Sequence, residues 1–251
     1  MKRQLWRIKR KLLGRKDFAH VDGSIIPAPD LRWCGAEFKD DSYYIKSAEG
    51  EAKRLIDYFA CHTGSSVLDI GCGQGRLAIG LQRILKSCNY LGLDVDVESI
   101  KWCQKYIQQN HPTFRFQHIR VNNERYNKKG DTLTDNFQFD APEKSINIIY
   151  LYSVFSHMFD YNMRIYLKEF GRILKPEGHI FFTTFVEENV PDFVNNPDNY
   201  GYDKYSSSLN VVRYEKNYLY AILDENGFAV TDFVHRAEAK GQSAIYAKRK
   251  V

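Results

Sequence analysis

No stretch of this chain comes near the roughly 18 to 20 consecutive apolar residues that a membrane-spanning helix needs. Its basic N-terminus is not followed by an apolar core and a small-residue cleavage site, so a secretory leader is not expected. Cysteine is sparse: Cys34, Cys61, Cys72, Cys88 and Cys103 are odd in number and include no C-x-x-C pair. That spacing argues against a disulfide framework and a zinc site. It leaves the five as small apolar fillers and fits a reducing, cytoplasmic setting with no metal ligation. Internal repeats and low-complexity tracts are missing as well.

Acidic residues are absent from the first sixteen positions, which carry Lys2, Arg3, Arg7, Lys9, Arg10, Lys11, Arg15 and Lys16. The rest of the chain holds 28 basic against 31 acidic side chains, so the formal charge of +5 belongs to the tail. The body is therefore not expected to bind nucleic acid. Leu5, Ile8, Leu12 and Leu13 recur at helical spacing beside Trp6, although Lys9 interrupts the apolar stripe. Three readings of residues 1–16 stay open: a helix resting on the anionic inner face of a membrane, an arm for a polyanionic acceptor, and a solvated extension.

What is present is an ordered globular composition, 43% hydrophobic and 14% aromatic, long enough for one good core. Residues 1–46 read as the basic tail and an irregular extension, with Pro27 and Pro29 breaking any helix. Residues 47–251 read as one α/β domain. Helices are predicted over Ser47 to Cys61, Arg76 to Lys86, Glu98 to Asn110, Tyr161 to Leu174 and Tyr214 to Asn226. Between them fall strands near 66–70, 90–93, 114–119, 146–151, 179–185, 228–234 and 243–248. Such alternation predicts βαβ units in a mostly parallel sheet, with the last strand antiparallel at or near the edge. Residues 120–144 and 186–213 are too long for plain connections and are expected to be lids or binding loops at the strand C-termini.

Chemistry concentrates in Gly71-Cys-Gly-Gln-Gly75, between a predicted strand and a predicted helix. Glycines there let the backbone turn sharply and let a ligand approach with no Cβ in the way, and the helix offers its first N–H groups. A dinucleotide-binding G-x-G-x-x-G would need a third glycine where Arg76 stands, and G-x-x-x-x-G-K-[ST] is absent. Asp69, two residues before the loop, would repel a pyrophosphate. It suits a ligand with an amino acid head group and a sulfonium, as in S-adenosylmethionine. Asp94 ends the next strand, where a carboxylate can accept hydrogen bonds from two ribose hydroxyls.

Val67-Leu-Asp-Ile-Gly-Cys-Gly-Gln-Gly-Arg76, followed by Leu91-Gly-Leu-Asp-Val-Asp96, resembles the first two motifs of class I S-adenosylmethionine-dependent methyltransferases. The resemblance continues through Phe114-Arg-Phe-Gln-His118 and Arg125-Tyr-Asn127, through Ile146 to Met158, and through Leu167 to Phe185. It spans about residues 47 to 250. It implies a Rossmann-like, doubly wound, seven-stranded sheet with helices on both faces, and S-adenosylmethionine as methyl donor with S-adenosylhomocysteine as product. It places Asp69, Gly71 and Gly73 on the methionine moiety, Asp94 on the ribose and Val95 against the adenine. Cys72, Asn122 and Tyr152 are counted among the same cofactor contacts. Two positions depart from the pattern: Arg120 stands where an acid near the adenine is usual, and Asn147 where the fourth strand usually has an Asp.

A hydroxyl acceptor benefits from a general base, and His157, just past the fourth strand, is the candidate, with turn packing as the plain alternative. Tyr152 and Phe155 are candidates for the site's wall, with core packing the alternative. Tyr43, Tyr44 and residues 200–210 are candidates for an acceptor lid. The expected acceptor is an oxygen of a small molecule or glycan. The competing readings are N-methylation of an amine or protein, and a cofactor-binding scaffold without catalysis.

Overall fold

A computed structural model describes Arg10 and residues 12–32, 35–123, 126–198 and 211–250. Most of the basic tail therefore lies outside the described residues. Its end is tied down: the Arg10 guanidinium is buried between Asp17 and Asp30.

The extension expected to be irregular instead opens with a hairpin, β1 (Phe18–Val21) and β2 (Ser24–Pro27). Asp22 and Gly23 form its two-residue turn with φ of 45° and 78°, the backbone that matches strand twist. Pro27 sits at the strand's last position, where little depends on its missing N–H. Helix α1 (Asp41–Phe59) then starts six residues before the predicted Ser47. Asp40 caps it, its carboxylate accepting the Tyr43 N–H at 2.7 Å.

The domain proper follows as β3 (Ser66–Ile70), α2 (Arg76–Leu85), β4 (Asn89–Asp94), α3 (Val97–Cys103, continued by a π-helical turn Gln104–Gln108), β5 (Phe114–His118) and β6 (Ile146–Leu151). Then come α4 (Asp160–Ile173), β7 (Leu174–Glu187), β8 (Phe193–Asn195), β9 (Val212–Glu215), α5 (Lys216–Glu225), β10 (Phe228–Glu238) and β11 (Gln242–Arg249). The main sheet runs β10-β11-β7-β6-β3-β4-β5, a Rossmann-like order in which β11 is antiparallel to both neighbours and lies one place in from the edge. The ends of the 186–213 excursion are β8 and β9, which pair with each other and, through β9, with the tip of β7.

Each central strand sends alternate side chains to opposite faces. Leu68, Ile70, Leu93, Ile149 and Leu151 join the core under α4 and α5, while Val67, Tyr90, Ile148 and Tyr150 join the one under α1 to α3. Because both faces are covered, these strands read as continuous apolar runs. Strand order reverses at β3: β4 and β5 lie on one side of it, β6 and β7 on the other. Loops leaving β3 and β6 part there and open the crevice in which α/β sheets bind ligands.

Candidate functional site

A cavity of about 340 Å³ occupies that crevice. The end of β3 and its loop, the end of β4, α1, the N-terminal turn of α2, residues 119–123 with Tyr126, the turn after β6 and the β10–β11 turn all contribute lining residues.

The glycine loop is shaped by its backbone. Gly71, Gly73 and Gly75 have φ of 77°, 53° and 74°, the left-handed region that side chains with a Cβ disfavour. The N–H groups of Gly71 and Cys72 both donate to the Leu93 carbonyl, at 2.7 and 3.1 Å, which folds the loop over the end of β4. A Cβ on Gly71 would lie 2.5 Å from Val154 Cγ2, whereas one on Gly73 would meet nothing within 4 Å. Gly73 thus leaves room for a close approach.

Asp94 is tied to this loop: its carboxylate accepts the Gly73 N–H at 2.8 Å and the Asp96 N–H at 2.7 Å. Burial raises its pKa to about 6, against the pull of those backbone donors. Asp69 is 3% exposed and accepts the Tyr90 hydroxyl. Burial pushes it up to about 8; the Tyr90 bond opposes that rise, while Glu51 and Asp94 add to it. Two buried carboxylates, Glu51 and Asp69, and the half-buried Asp94 thus face one cavity that also holds the guanidinium of Arg76. This donor set fits a ligand bearing an ammonium, a sulfonium and one carboxylate, and fits a pyrophosphate poorly.

All nine residues named from sequence, Asp69, Gly71, Cys72, Gly73, Asp94, Val95, Asn122, Tyr152 and His157, line this cavity. Asn122 Nδ2 also donates to the Lys128 carbonyl at 3.1 Å. Tyr152 donates to Glu238 at 3.1 Å and lies under the Arg76 guanidinium. His157 closes a 3-10 turn, 5% exposed, with the Tyr126 ring edge-on at 5.7 Å and its carbonyl accepting Asn123 Nδ2 at 3.1 Å.

Of the other candidates only Tyr44 reaches the cavity among the described residues. Phe155 is fully buried in the core, stacked edge-on against Phe182. Tyr44 lines the cavity, whereas Tyr43 is exposed and packs edge-on on Phe38. Residues 200–210 lie outside the described residues. Arg120 is exposed, 3.8 Å from Asp131 and off the cavity, while its neighbours Ile119, Val121 and Asn122 line it. Asn147 is structural: its Oδ1 accepts the Ser66 N–H and the Lys175 ammonium, both at 3.0 Å. Cys61, Cys72, Cys88 and Cys103 are buried free thiols.

Arg76 was informative in the sequence only as a missing glycine. In the fold it forms an ion pair with Glu51 and stands between the rings of Phe38 and Tyr152, 4.8 and 4.9 Å from their centroids. The overlooked signal is Glu51 itself, a charge within the buried stripe Tyr44, Ala48, Ala52 and Leu55 of α1.

The sequence profile of the family described as "Methyltransferase domain" matches residues 44–232, from α1 into β10. The chain belongs to that family. The phthiotriol/phenolphthiotriol dimycocerosates methyltransferase 1 of Mycobacterium ulcerans is 29% identical over 127 residues, covering 51% of this chain and 40% of that protein. The (S)-tetrahydroprotoberberine N-methyltransferase of Eschscholzia californica is 26% identical over 145 residues, covering 57% and 37%. The magnesium protoporphyrin IX methyltransferase of Synechocystis, solved with bound S-adenosylmethionine, superposes with a TM-score of 0.56. It is 12% identical, with 87% of this chain and 86% of that one covered. Matches to the curated relatives span only a third to two-fifths of those proteins' lengths. This is a class I methyltransferase domain, and S-adenosylmethionine is its cofactor. Among the described residues of this methyltransferase domain, no helix is long and apolar enough to cross a membrane.

Proposed function

We propose that this methyltransferase moves a methyl group from S-adenosylmethionine to a hydroxyl oxygen of a small-molecule or glycan acceptor. One observation carries the reading: the glycine loop with Asp94 and the buried imidazole of His157 line the same cavity. When bound, S-adenosylmethionine supplies a methyl group already activated on a sulfonium. The protein's part is to orient the reactants and exclude water, and most of the rate comes from that. Asp94 accepts the ribose hydroxyls, and Val95 and Asn122 flank the adenine. Asp69, with Gly71, Cys72 and Gly73, meets the amino acid end, with Tyr152 walling the site. His157 takes the acceptor's hydroxyl proton. Ile119, Val121, Asn123 and Tyr126 serve as cover for the cavity.

Titration with S-adenosylhomocysteine tests the first half: saturable heat is expected, reduced about tenfold or more in affinity by Asp94→Ala. Neither heat nor a melting shift would overturn it. His157→Ala tests the second half: methyl transfer to a hydroxyl acceptor falls about 10²- to 10⁴-fold while S-adenosylhomocysteine affinity stays within about threefold.

N-methylation of an amine is the second reading. It is favoured by the cavity's excess of acids, with Glu37, Glu51, Asp69, Asp94 and Asp96 against Arg76 and Lys240. Activity in His157→Ala that persists across pH selects it.

A further inference from the structure

Ser153, two residues past β6, has φ of 59°, where a residue with a side chain stays only if its surroundings hold it. A closed circuit of hydrogen bonds does so. The Ser153 N–H donates to Thr183 Oγ1 of β7, the Thr183 hydroxyl to Gln242 Oε1 of β11, and Gln242 Nε2 back to Ser153 Oγ, each at 2.8 Å. Ser153 Oγ also shares a hydrogen bond with Ser156 Oγ at 3.1 Å, one residue before His157. Thr183 and Ser156 are fully buried and Gln242 nearly so. Every member gives and takes, so removing one leaves two others short of a partner.

This turn meets the cavity through Ser153, Val154 and His157, and Gln242 lines it as well, while Thr183 does not. Val154 packs on the glycine loop, its Cγ2 filling the space a Gly71 Cβ would need. His157 then closes the same turn, its N–H donating to the Val154 carbonyl at 2.9 Å. We propose that Thr183 and Gln242 are positioning residues for methyl transfer: they lock Ser153 in its left-handed conformation and so set Val154 against the glycine loop and His157 in the cavity wall. The proposal rests on the cavity being the methyl donor's site.

The test is conformational rescue in the full chain, read by sinefungin affinity and by the His157 imidazole titration midpoint in NMR. Gln242→Leu is expected to weaken sinefungin about tenfold and to displace the midpoint. Adding Ser153→Gly returns both to within about twofold of the parent, because glycine holds a positive φ without help. Thr183→Val behaves like Gln242→Leu, and Thr183→Ser, which keeps the hydroxyl, behaves like the parent; this pair decides if Gln242→Leu does not fold. A merely structural role would lower Tm and leave the His157 midpoint in place. An unmoved midpoint in Gln242→Leu and Thr183→Val, or no recovery with Ser153→Gly, overturns the proposal while the donor-site reading stands. A parent chain that does not bind sinefungin overturns both.

Discussion

Replacing Gly80 by alanine sets two effects of known size against each other. Gly80 lies inside α2, where alanine is favoured over glycine by about 1 kcal/mol. Its missing Cβ is also where α1 crosses: a methyl there would stand 1.9 Å from the Ala48 carbonyl oxygen, 2.5 Å from its carbon and 3.2 Å from Ala52 Cβ. The obstacle is backbone, so no rotamer relieves it and the helices must move apart by roughly 1 Å or more. Overpacking of this kind costs about 1–3 kcal/mol and occasionally more, and a backbone clash belongs at the upper end. The net expectation is a loss of about 2 kcal/mol, or a Tm lower by about 4–8 °C for a domain of this size. Since α1 also carries Tyr44 and Glu51 into the cavity, S-adenosylhomocysteine binding should weaken with it. Thermal melts of Gly80→Ala with and without that ligand give the answer. A variant as stable as the parent, or more so, would refute the account of how α1 seats on α2.

The raised Asp69 makes stability depend on pH. Its folded pKa of about 8 exceeds its ordinary 3.8, so between those values the folded chain keeps a proton that the unfolded chain releases. Stability from that proton is complete below about pH 4 and falls by up to about 1.4 kcal/mol per pH unit as pH rises through about 8. Asp94, raised to about 6, adds the same sign at lower pH. Asp69→Asn should flatten the slope and melt higher than the parent at pH 8; a parent Tm that climbs from pH 5 to pH 8 would contradict this. Arg172 donates to the carbonyls of Phe139 and Ala141 and pairs with Glu169, fastening the end of the 120–144 excursion to α4. Arg172→Met should cost about 2 kcal/mol and speed amide exchange over residues 137–145, and unchanged exchange there would remove it from that role.

What was legible in the sequence was local. Ser66–Ile70 and Ile146–Leu151 emerge with the predicted bounds, because buried parallel strands are largely apolar runs, here interrupted only by Asp69 and Asn147. Asp69, the loop glycines and Asp94 could be named because one strand–turn–helix and the next strand's end carry them all. The β1–β2 hairpin is also local: Pro27 and Pro29 exclude a helix there, and Asp22-Gly23 is its turn signal. Arg76 with Glu51 shows only as a charge within an apolar helix stripe, and Ser153 with Thr183 and Gln242 leaves no local trace. Their partners lie 25 to 89 positions apart, and only the packing of α1 on α2 and the sheet order bring them together.

The place of β11 bears on the order in which the molecule is made. It is synthesised after every other strand of the sheet, yet it is inserted between β7 and β10. Until it leaves the ribosome, β7 presents an open edge and β10 has no neighbour, so a nascent chain carries the glycine loop well before it carries Gln242. The cavity can be walled only once that strand has arrived, and the growing polypeptide must keep the β7 edge unpaired for the interval.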